Sequence, residues 1–134
     1  MKILIDTDVL LDVALEREPH SGESAAVLQW VEAGGDAAVA WHTLTNCAYL
    51  LKGGGRTFLK SLLQLVDVAQ VGKTDAERAL SLGMTDLEDS FQVASALAWG
   101  ADLIVTRNTH DYRHSPVPIL TPAEFHQRIE QGLD

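Results

Sequence analysis

Short apolar runs, separated by segments with helical periodicity, alternate along this chain. Residues 2–5 form a run that ends at Asp6, which is typical of a parallel strand buried on both faces. Similar runs predict four further strands. They lie at 37–41 and 103–106, with weaker runs at 66–69 and 117–120 that suit the edges of a sheet.

Apolar residues at helical spacing predict several helices between these strands. One spans 9–15, a second opens at Ser21 and closes at Gly34 and Gly35, and two more lie at 43–51 and 57–65. Three further helix starts carry a threonine three residues before a glutamate, which is the signature of a capping box. The pairs are Thr74 with Glu77, Thr85 with Glu88, and Thr121 with Glu124.

The alternation of strands and helices predicts a parallel sheet covered on both faces. We therefore expect an α/β fold, a three-layer α/β/α sandwich with a central, mostly parallel sheet. With 134 residues, 46% of them hydrophobic, the chain can bury such a core, and we expect one domain over 1–134. Cys47, the only cysteine, lies in an apolar stretch and is expected to be a buried, inert thiol.

Charge and hydrophobicity limit the functions that the chain can have. The net charge is −9, from 19 acidic and 10 basic residues, so the molecule as a whole would repel a polyanion and is unsuited to broad nonspecific DNA binding. No apolar run approaches the ~20 residues of a membrane span, and the N-terminal run is too short for a signal peptide. We expect a soluble, cytoplasmic protein that does not enter a membrane.

Carboxylates follow the first predicted strand. Asp6 ends that strand, and Asp8 and Asp12 lie in the segment after it. A carboxylate at the end of a buried strand is costly unless it has a partner. Capping of the next helix is one explanation, and it suits Asp8 better than Asp6. We interpret Asp6 as a functional group, whereas Asp12 could simply be solvated.

A second acidic group surrounds a predicted helix start. Asp86 suits the positive end of the helix dipole, and a capping box explains Glu88. Asp89 is different, because it lies four residues before Val93 on the stripe that faces the core. A carboxylate that points inward near a helix start indicates a bound cation.

A third polar group follows the strand at 103–106. Asn108 could cap a helix and Asp111 could be a surface charge, but both follow the carboxyl end of a strand, as Asp6 does. Ligands of open parallel sheets bind at that edge. Carboxylates from three segments therefore predict a site for Mg²⁺ or Mn²⁺, which prefer oxygen ligands. No spacing of cysteine and histidine suits zinc.

These motifs resemble the PIN-domain family, in order and over nearly the whole chain. Residues 3–12 resemble its opening motif, in which Asp8 is usually asparagine, and residues 89–96 resemble its central helix. Residues 104–111 resemble its last acidic motif, and 119–122 a common ending. Many bacterial relatives are toxins of VapC type, which are paired with an antitoxin and cut RNA with Mg²⁺ or Mn²⁺.

The resemblance implies a set of site residues. Asp6 and Asp89 would be the principal metal ligands, with Asp86 and Asp111 as supporting acids. The glutamate that the family places on the helix after the second strand is Asn46 here. The position often held by aspartate in the last motif is Asn108. Both amides can complete the metal shell through their oxygens, but the change at residue 46 removes a negative charge and should weaken cation binding.

Several functions are compatible with these residues. The first is a Mg²⁺- or Mn²⁺-dependent endoribonuclease of a VapC-type toxin–antitoxin system. Its catalytic residues would be Asp6, Asp86, Asp89 and Asp111, with Thr106 and Arg107 as candidates to contact the scissile phosphate. The alternative is a catalytically weakened PIN-like module that binds RNA or a protein partner. A third is a metal-dependent hydrolase of small phosphate esters.

Self-association is a further expectation, because relatives of this size commonly pair, and we therefore predict a homodimer. Its surface could include a tryptophan (Trp30, Trp41 or Trp99) or the apolar segment at 59–65. The same residues could instead belong to the core, which is the more common place for them.

Overall fold

A computed structural model describes residues 1–132, and its strands form one five-stranded sheet. The strands are β1 (Lys2–Ile5), β2 (Asp36–Val39), β3 (Asp67–Val68), β4 (Leu103–Val105) and β5 (Ile119–Leu120). All neighbouring strands are parallel, and the order across the sheet is β3-β2-β1-β4-β5. The short strands β3 and β5 form the two edges, as their weaker apolar runs predicted.

Seven α-helices connect these strands within the described residues. They are α1 (Thr7–Ala14), α2 (Ser21–Glu32), α3 (Trp41–Leu51), α4 (Gly55–Leu62), α5 (Lys73–Leu80), α6 (Leu87–Trp99) and α7 (Pro122–Glu130). Short 3₁₀ turns lie at Lys52–Gly54 and Thr109–Tyr112. The C-cap of α6 is Gly100, whose φ of 82° is left-handed and therefore favours glycine.

The two faces of the sheet bury separate hydrophobic clusters. Because side chains alternate along a strand, Ile3 and Ile5 belong to one cluster and Leu4 to the other. The first cluster includes residues of α1, α2, α3, α4 and α7, such as Phe125. The second includes Val93 of α6, and α5 packs against α6. The predicted three-layer α/β/α sandwich is therefore confirmed.

The central position of β1 determines where a ligand can bind. The chain passes from β1 to β2 on one side and later returns to β4 on the other side, so the strand order reverses between β1 and β4. In open parallel sheets, a crevice forms at the carboxyl ends of the strands at such a point. Asp6 directly follows β1, and its N–H donates to the carbonyl of Val105 in β4 at 3.0 Å. The residues that follow β1 and β4 therefore share one edge of the sheet.

The start of α6 differs from the sequence prediction. Asp86 is the N-cap of this helix, and its side chain accepts a hydrogen bond from the N–H of Asp89 at 3.1 Å. The capping box predicted for Thr85 and Glu88 is therefore wrong, because the helix begins one residue later than that box requires. The short carboxylate of Asp86 reaches the N3 backbone as the threonine hydroxyl would have done.

The other two predicted capping boxes have different outcomes. At the start of α5, the N–H of Gly72 donates to the carboxylate of Asp75 at 2.9 Å, and Thr74 lies inside the helix instead of capping it. At the start of α7 the prediction is confirmed. Glu124 donates its N–H to the hydroxyl of Thr121 at 3.1 Å, and the N–H of Thr121 donates to Glu124 at 2.9 Å.

Asp12 is buried in an ion-paired network, so the solvated position considered for it is wrong. Its carboxylate accepts from Arg107 at 2.6 and 3.1 Å, from Arg17 at 3.0 Å and from the hydroxyl of Ser24 at 3.1 Å. Burial acts to raise the pKa of Asp12, but the hydrogen bonds from Arg107 and Ser24 and the charges of Arg107 and Arg17 together outweigh it and hold that pKa below its ordinary value. The network ties α1 to α2 and to the segment after β4.

The remaining expectations concern single side chains and the membrane. Cys47 is buried as predicted, and burial raises the pKa of its thiol to about 11. Trp30 and Trp99 pack against the two core clusters, whereas Trp41 is 64% exposed. Among residues 1–132, no helix is long and apolar enough to cross a membrane.

The network around Asp12 predicts a large loss of stability when its charge is removed. Asp12→Asn should lower the free energy of unfolding by about 2–4 kcal/mol, because a neutral amide cannot balance the arginines paired with it. Urea denaturation at pH 7 measures this difference. Asp67→Asn, at the exposed sheet edge, is the matched control and should change stability by less than about 0.5 kcal/mol. Equal stability of Asp12→Asn and wild type would contradict the role given to this network.

Candidate active site

Four donors surround the carboxylate of Asp6, which is 4% exposed. Asp6 is the N-cap of α1, and its Oδ1 accepts from the N–H of Thr7 at 2.7 Å and from Nε2 of Gln92 at 2.9 Å. Its Oδ2 accepts from the hydroxyls of Thr106 and Tyr112, each at 2.9 Å. Asp6 is thus held in one orientation by groups from α1, α6 and the segment after β4.

Asp8 does not cap α1, which is a further correction to the sequence prediction. Its Oδ2 accepts from the N–H of Arg107 at 3.1 Å and from the hydroxyl of Thr106 at 3.3 Å. Burial raises the pKa of Asp8, although the charge of Arg107 acts in the opposite direction. The guanidinium of Arg107 binds Asp12 and the hydroxyl of Thr106 binds Asp6. Both side chains are engaged by carboxylates, and Arg107 also lines the pocket beside Asp6 and Asp89, so the phosphate contact stays a prediction.

Asp89 points into the protein, as its position on the buried stripe of α6 predicted, and it is 4% exposed. Burial raises the pKa of Asp89 to about 7, and the charges of Asp6 and of other nearby carboxylates act in the same direction. Burial likewise raises the pKa of Asp6 to about 7, again with help from neighbouring carboxylates. Burial and these two acids also raise the pKa of Tyr112, so its hydroxyl stays protonated and donates to Asp6.

Asp89 is also the common member of a group of three carboxylates. One oxygen from each of Asp86, Asp89 and Asp111 lies within 4.8 Å of the other two. Asp86 comes from the start of α6, and Asp111 comes from the 3₁₀ turn after β4. Asn108 lies beside this group, and its Nδ2 donates to Oδ2 of Asp111 at 2.6 Å.

An open pocket of about 320 Å³ lies against this acidic edge. Its lining includes Asp6, Asp89, Asn46 and Asn108, which come from the residue directly after β1, from α6, from α3 and from the segment after β4. The fold therefore brings four of the predicted site residues to one pocket. Asp86 and Asp111 are the other two predicted site residues. Their carboxylates lie close to that of Asp89, which lines the pocket.

Glu88 lines the same pocket, and sequence reasoning missed it because a capping box explained it. Its Oε2 accepts from Nε2 of His42 at 2.7 Å, and its side chain is 46% exposed. Burial acts to raise the pKa of Glu88, but the hydrogen bond and charge of His42, together with hydrogen bonds to Asp89 and Gln92, outweigh it and hold the pKa below its ordinary value. Residues 86–89 include three acids, which is more than the capping of one helix requires. This excess was the sequence signal that could have identified Glu88 as a site residue.

The ligand atoms at this edge fit a hard divalent cation. The acidic side chains and the two asparagines offer oxygen atoms, which suit Mg²⁺ and Mn²⁺. Oε1 of Gln92 and Oδ1 of Asp8 are buried without a hydrogen-bond partner among the described residues, which leaves acceptors unused beside the acids. Carboxylates whose pKa values are raised by burial and by neighbouring acids are stabilised in their charged form when a cation neutralises them.

Comparison with protein families adds an independent finding. The family model described as "PIN domain" matches residues 2–110. No curated protein sequence matches the chain at a significant level.

Three solved structures resemble the fold. VapBC2 from Rickettsia felis, bound to a DNA fragment from its promoter, has a TM-score of 0.71 at 14% identity, over 90% of this chain and 98% of the other. A toxin–antitoxin complex from Klebsiella pneumoniae has a TM-score of 0.70 at 24% identity, over 90% and 97% of the two chains. Mycobacterium tuberculosis VapC20, a toxin that cleaves the sarcin–ricin loop, has a TM-score of 0.58 at 16% identity, over 76% and 86%. At these identities the likeness is one of fold.

The raised pKa of Asp89 predicts how stability depends on pH without metal. Between an ordinary pKa of 3.8 and the folded value of about 7, the folded protein binds more protons than the unfolded chain, so stability falls as pH rises. Asp89→Asn removes this charge and should be more stable than wild type at pH 8, by up to about 4 kcal/mol for a pKa shift of this size. At pH 4 the two proteins should be nearly equal.

Urea denaturation in EDTA at the two pH values measures this difference, with Asp67→Asn as the control that should follow wild type at both. A wild-type advantage at pH 8 would show that the charge of Asp89 is stabilising, and would contradict the crowding described above.

Proposed function

The chain belongs to the PIN-domain family, and on that premise we propose that it is a metal-dependent endoribonuclease of a VapC-type toxin–antitoxin system. The observation that carries the proposal is the group formed by Asp86, Asp89 and Asp111, with carboxylate oxygens within 4.8 Å of one another. This group adjoins the pocket lined by Asp6 and Asp89. Such crowding of like charges is costly in a protein that does not bind a cation there.

Each of the predicted residues has a role in this proposal. Asp89 and Asp6 are the principal metal ligands, and Asp86 and Asp111 support them. Asn46 and Asn108 would add neutral oxygen ligands at the pocket, as the resemblance implied. Mg²⁺ or Mn²⁺ bound there supplies Lewis acidity and lowers the pKa of bound water.

The second contribution of the chain is orientation. Gln92 and Tyr112 donate to Asp6 and hold both of its oxygens. Asn108 donates to Asp111 and fixes that carboxylate beside Asp89. Hydrogen bonds that fix the ligands of a metal commonly matter almost as much for affinity as the ligands themselves.

RNA is the substrate that we propose, although the net charge of −9 disfavours a polyanion. Part of the basic charge is concentrated, because Lys52, Arg56 and Lys60 line one groove beside α3 and α4. A groove of this kind can hold phosphates even on an acidic protein. Cleavage of an RNA loop by VapC20, a protein with a similar fold, also supports this class of substrate.

We also propose an antitoxin partner and a homodimer. The similar proteins from Rickettsia felis and Klebsiella pneumoniae are in toxin–antitoxin complexes. Exposed apolar side chains offer surface for a partner, among them Trp41 at 64%, Tyr49 at 79% and Leu87 at 53%. Leu63, in the segment considered for self-association, is 47% exposed.

The alternative is a PIN-like module that binds RNA or a protein partner but cuts slowly or not at all. Asn46 favours it, because this residue lines the pocket without contributing a charge where the family has a glutamate. The two functions differ in one measurable property, which is cleavage of RNA by the folded protein.

Cleavage of a pool of structured RNAs with Mn²⁺ or Mg²⁺ tests the proposal. We expect wild type to cleave RNA and EDTA to abolish this cleavage. Asp89→Asn should reduce the cleavage rate by at least ~100-fold, because a metal ion supplies several kcal/mol of transition-state stabilisation. Asp89→Asn is preferred to Asp6→Asn, since Asp6 also holds four structural hydrogen bonds. Asp36→Asn, at an exposed position of β2, is the matched control and should cut like wild type.

The other outcomes separate the alternatives. A folded wild type that leaves RNA intact over a range of Mn²⁺ concentrations would favour the binding module. Hydrolysis of small phosphate esters without cleavage of RNA would indicate a different hydrolase. Equal cleavage by Asp89→Asn and wild type would contradict the proposed site.

A further inference from the structure

The position where the family has a glutamate is neutral in this chain, yet a carboxylate from another helix lines the same pocket. Asn46 is on α3, and His42 precedes it by four residues, so the two side chains share one face of that helix. Nε2 of His42 donates to Oε2 of Glu88 at 2.7 Å. Both Asn46 and Glu88 line the acidic pocket, together with Asp6 and Asp89. A carboxylate from α6 is thus hydrogen-bonded to the face of α3 that carries Asn46.

A second contact ties Glu88 to the acidic edge. Nε2 of Gln92 lies 2.9 Å from Oδ1 of Asp6 and 3.4 Å from Oε2 of Glu88, so one amide group links the two carboxylates. The charge of Glu88 also contributes to the raised pKa values of Asp6 and Asp89, after the larger effect of burial. Glu88 is therefore electrostatically part of this group of acids.

Glu88 has no evident structural task that would explain this placement. The capping of α6 is performed by Asp86, whose side chain accepts from the N–H of Asp89. The side chain of Glu88 is 46% exposed, and that of His42 is 27% exposed, so their pair adds little to stability. A half-exposed carboxylate beside the pocket is accessible to a ligand.

We propose that Glu88 supplies to the metal site the carboxylate that α3 lacks at Asn46, and that His42 is the positioning residue that holds it there. This inference rests on the proposed function, because it assigns a further ligand to the same site. The negative charge lost at residue 46 is then restored from α6, and cation affinity need not be weakened. Asp86, Glu88 and Asp89, all from the start of α6, would then contribute carboxylates to one metal site.

Mn²⁺ binding to the purified chain, measured by titration calorimetry, tests the inference without relying on activity. Glu88→Gln should raise the Kd for Mn²⁺ by at least ~10-fold, as should Asp89→Asn, because each removes a charged oxygen ligand. Glu77→Gln, the same change at an exposed site on α5, is the matched control and should leave the Kd unchanged. Circular dichroism of each variant verifies that it is folded.

A compensating variant makes the replacement itself testable. Adding Asn46→Glu to Glu88→Gln should return the Kd to within ~3-fold of wild type, because the carboxylate then comes from α3 as in the family. A double variant that binds as weakly as Glu88→Gln would overturn the replacement.

The role of His42 is tested by comparing two substitutions. His42→Ala should raise the Kd for Mn²⁺ by ~10-fold, as the loss of a supporting hydrogen bond commonly does. His42→Gln keeps a donor near the position of Nε2 and should retain most of the affinity. A Kd for His42→Ala equal to that of wild type would remove His42 from the account.

The failures of the two proposals can be distinguished. If wild type binds Mn²⁺ and Asp89→Asn does not, but Glu88→Gln binds like wild type, the inference is overturned while the proposed function stands. If wild type binds no Mn²⁺ at millimolar concentration, the proposed function falls, and the role of Glu88 falls with it.

Discussion

The arrangement of this edge of the protein depends on the burial of Asp6 directly after the central strand. A carboxylate with 4% exposure is tolerated there because both of its oxygens accept hydrogen bonds, from Thr7, Gln92, Thr106 and Tyr112. These donors belong to α1, to α6 and to the segment after β4. A single buried charge thus fixes the three segments that also carry the other acids of the pocket.

Burial and like charge together explain the chemistry of the pocket. Asp89 is brought close to Asp86 and Asp111, and burial raises its pKa to about 7. Asp12 shows the contrast, because arginines compensate its charge and its pKa is lowered although it is fully buried. The protein therefore places arginines at one buried acid of α1, and we propose that an external cation compensates Asp6 and Asp89 in the pocket.

Much of the fold could be predicted from the sequence, because strands buried on both faces are short apolar runs and the alternation with helices fixes a parallel sheet. The edge that carries Asp6, Asp89 and Asp111 followed from the same argument. Helix starts were less predictable, because aspartate and threonine are both favoured N-cap residues and their adjacent positions allowed two registers at α6. The burial of Asp12 and the contact of Glu88 with His42 depend on tertiary packing between distant segments, which no local pattern encodes. The single-domain organisation and the roles of the site residues stay predictions.

Above all, we propose that these carboxylates form a site for a divalent cation. Anomalous diffraction from crystals grown with Mn²⁺ tests it most directly, because the ion is located without reference to activity. We expect an anomalous peak beside the carboxylate of Asp89, with oxygens of neighbouring acids completing the coordination shell. Crystals grown with Mn²⁺ that show no anomalous peak at Asp89, or that show Mn²⁺ only at surface carboxylates elsewhere, would contradict the proposed site.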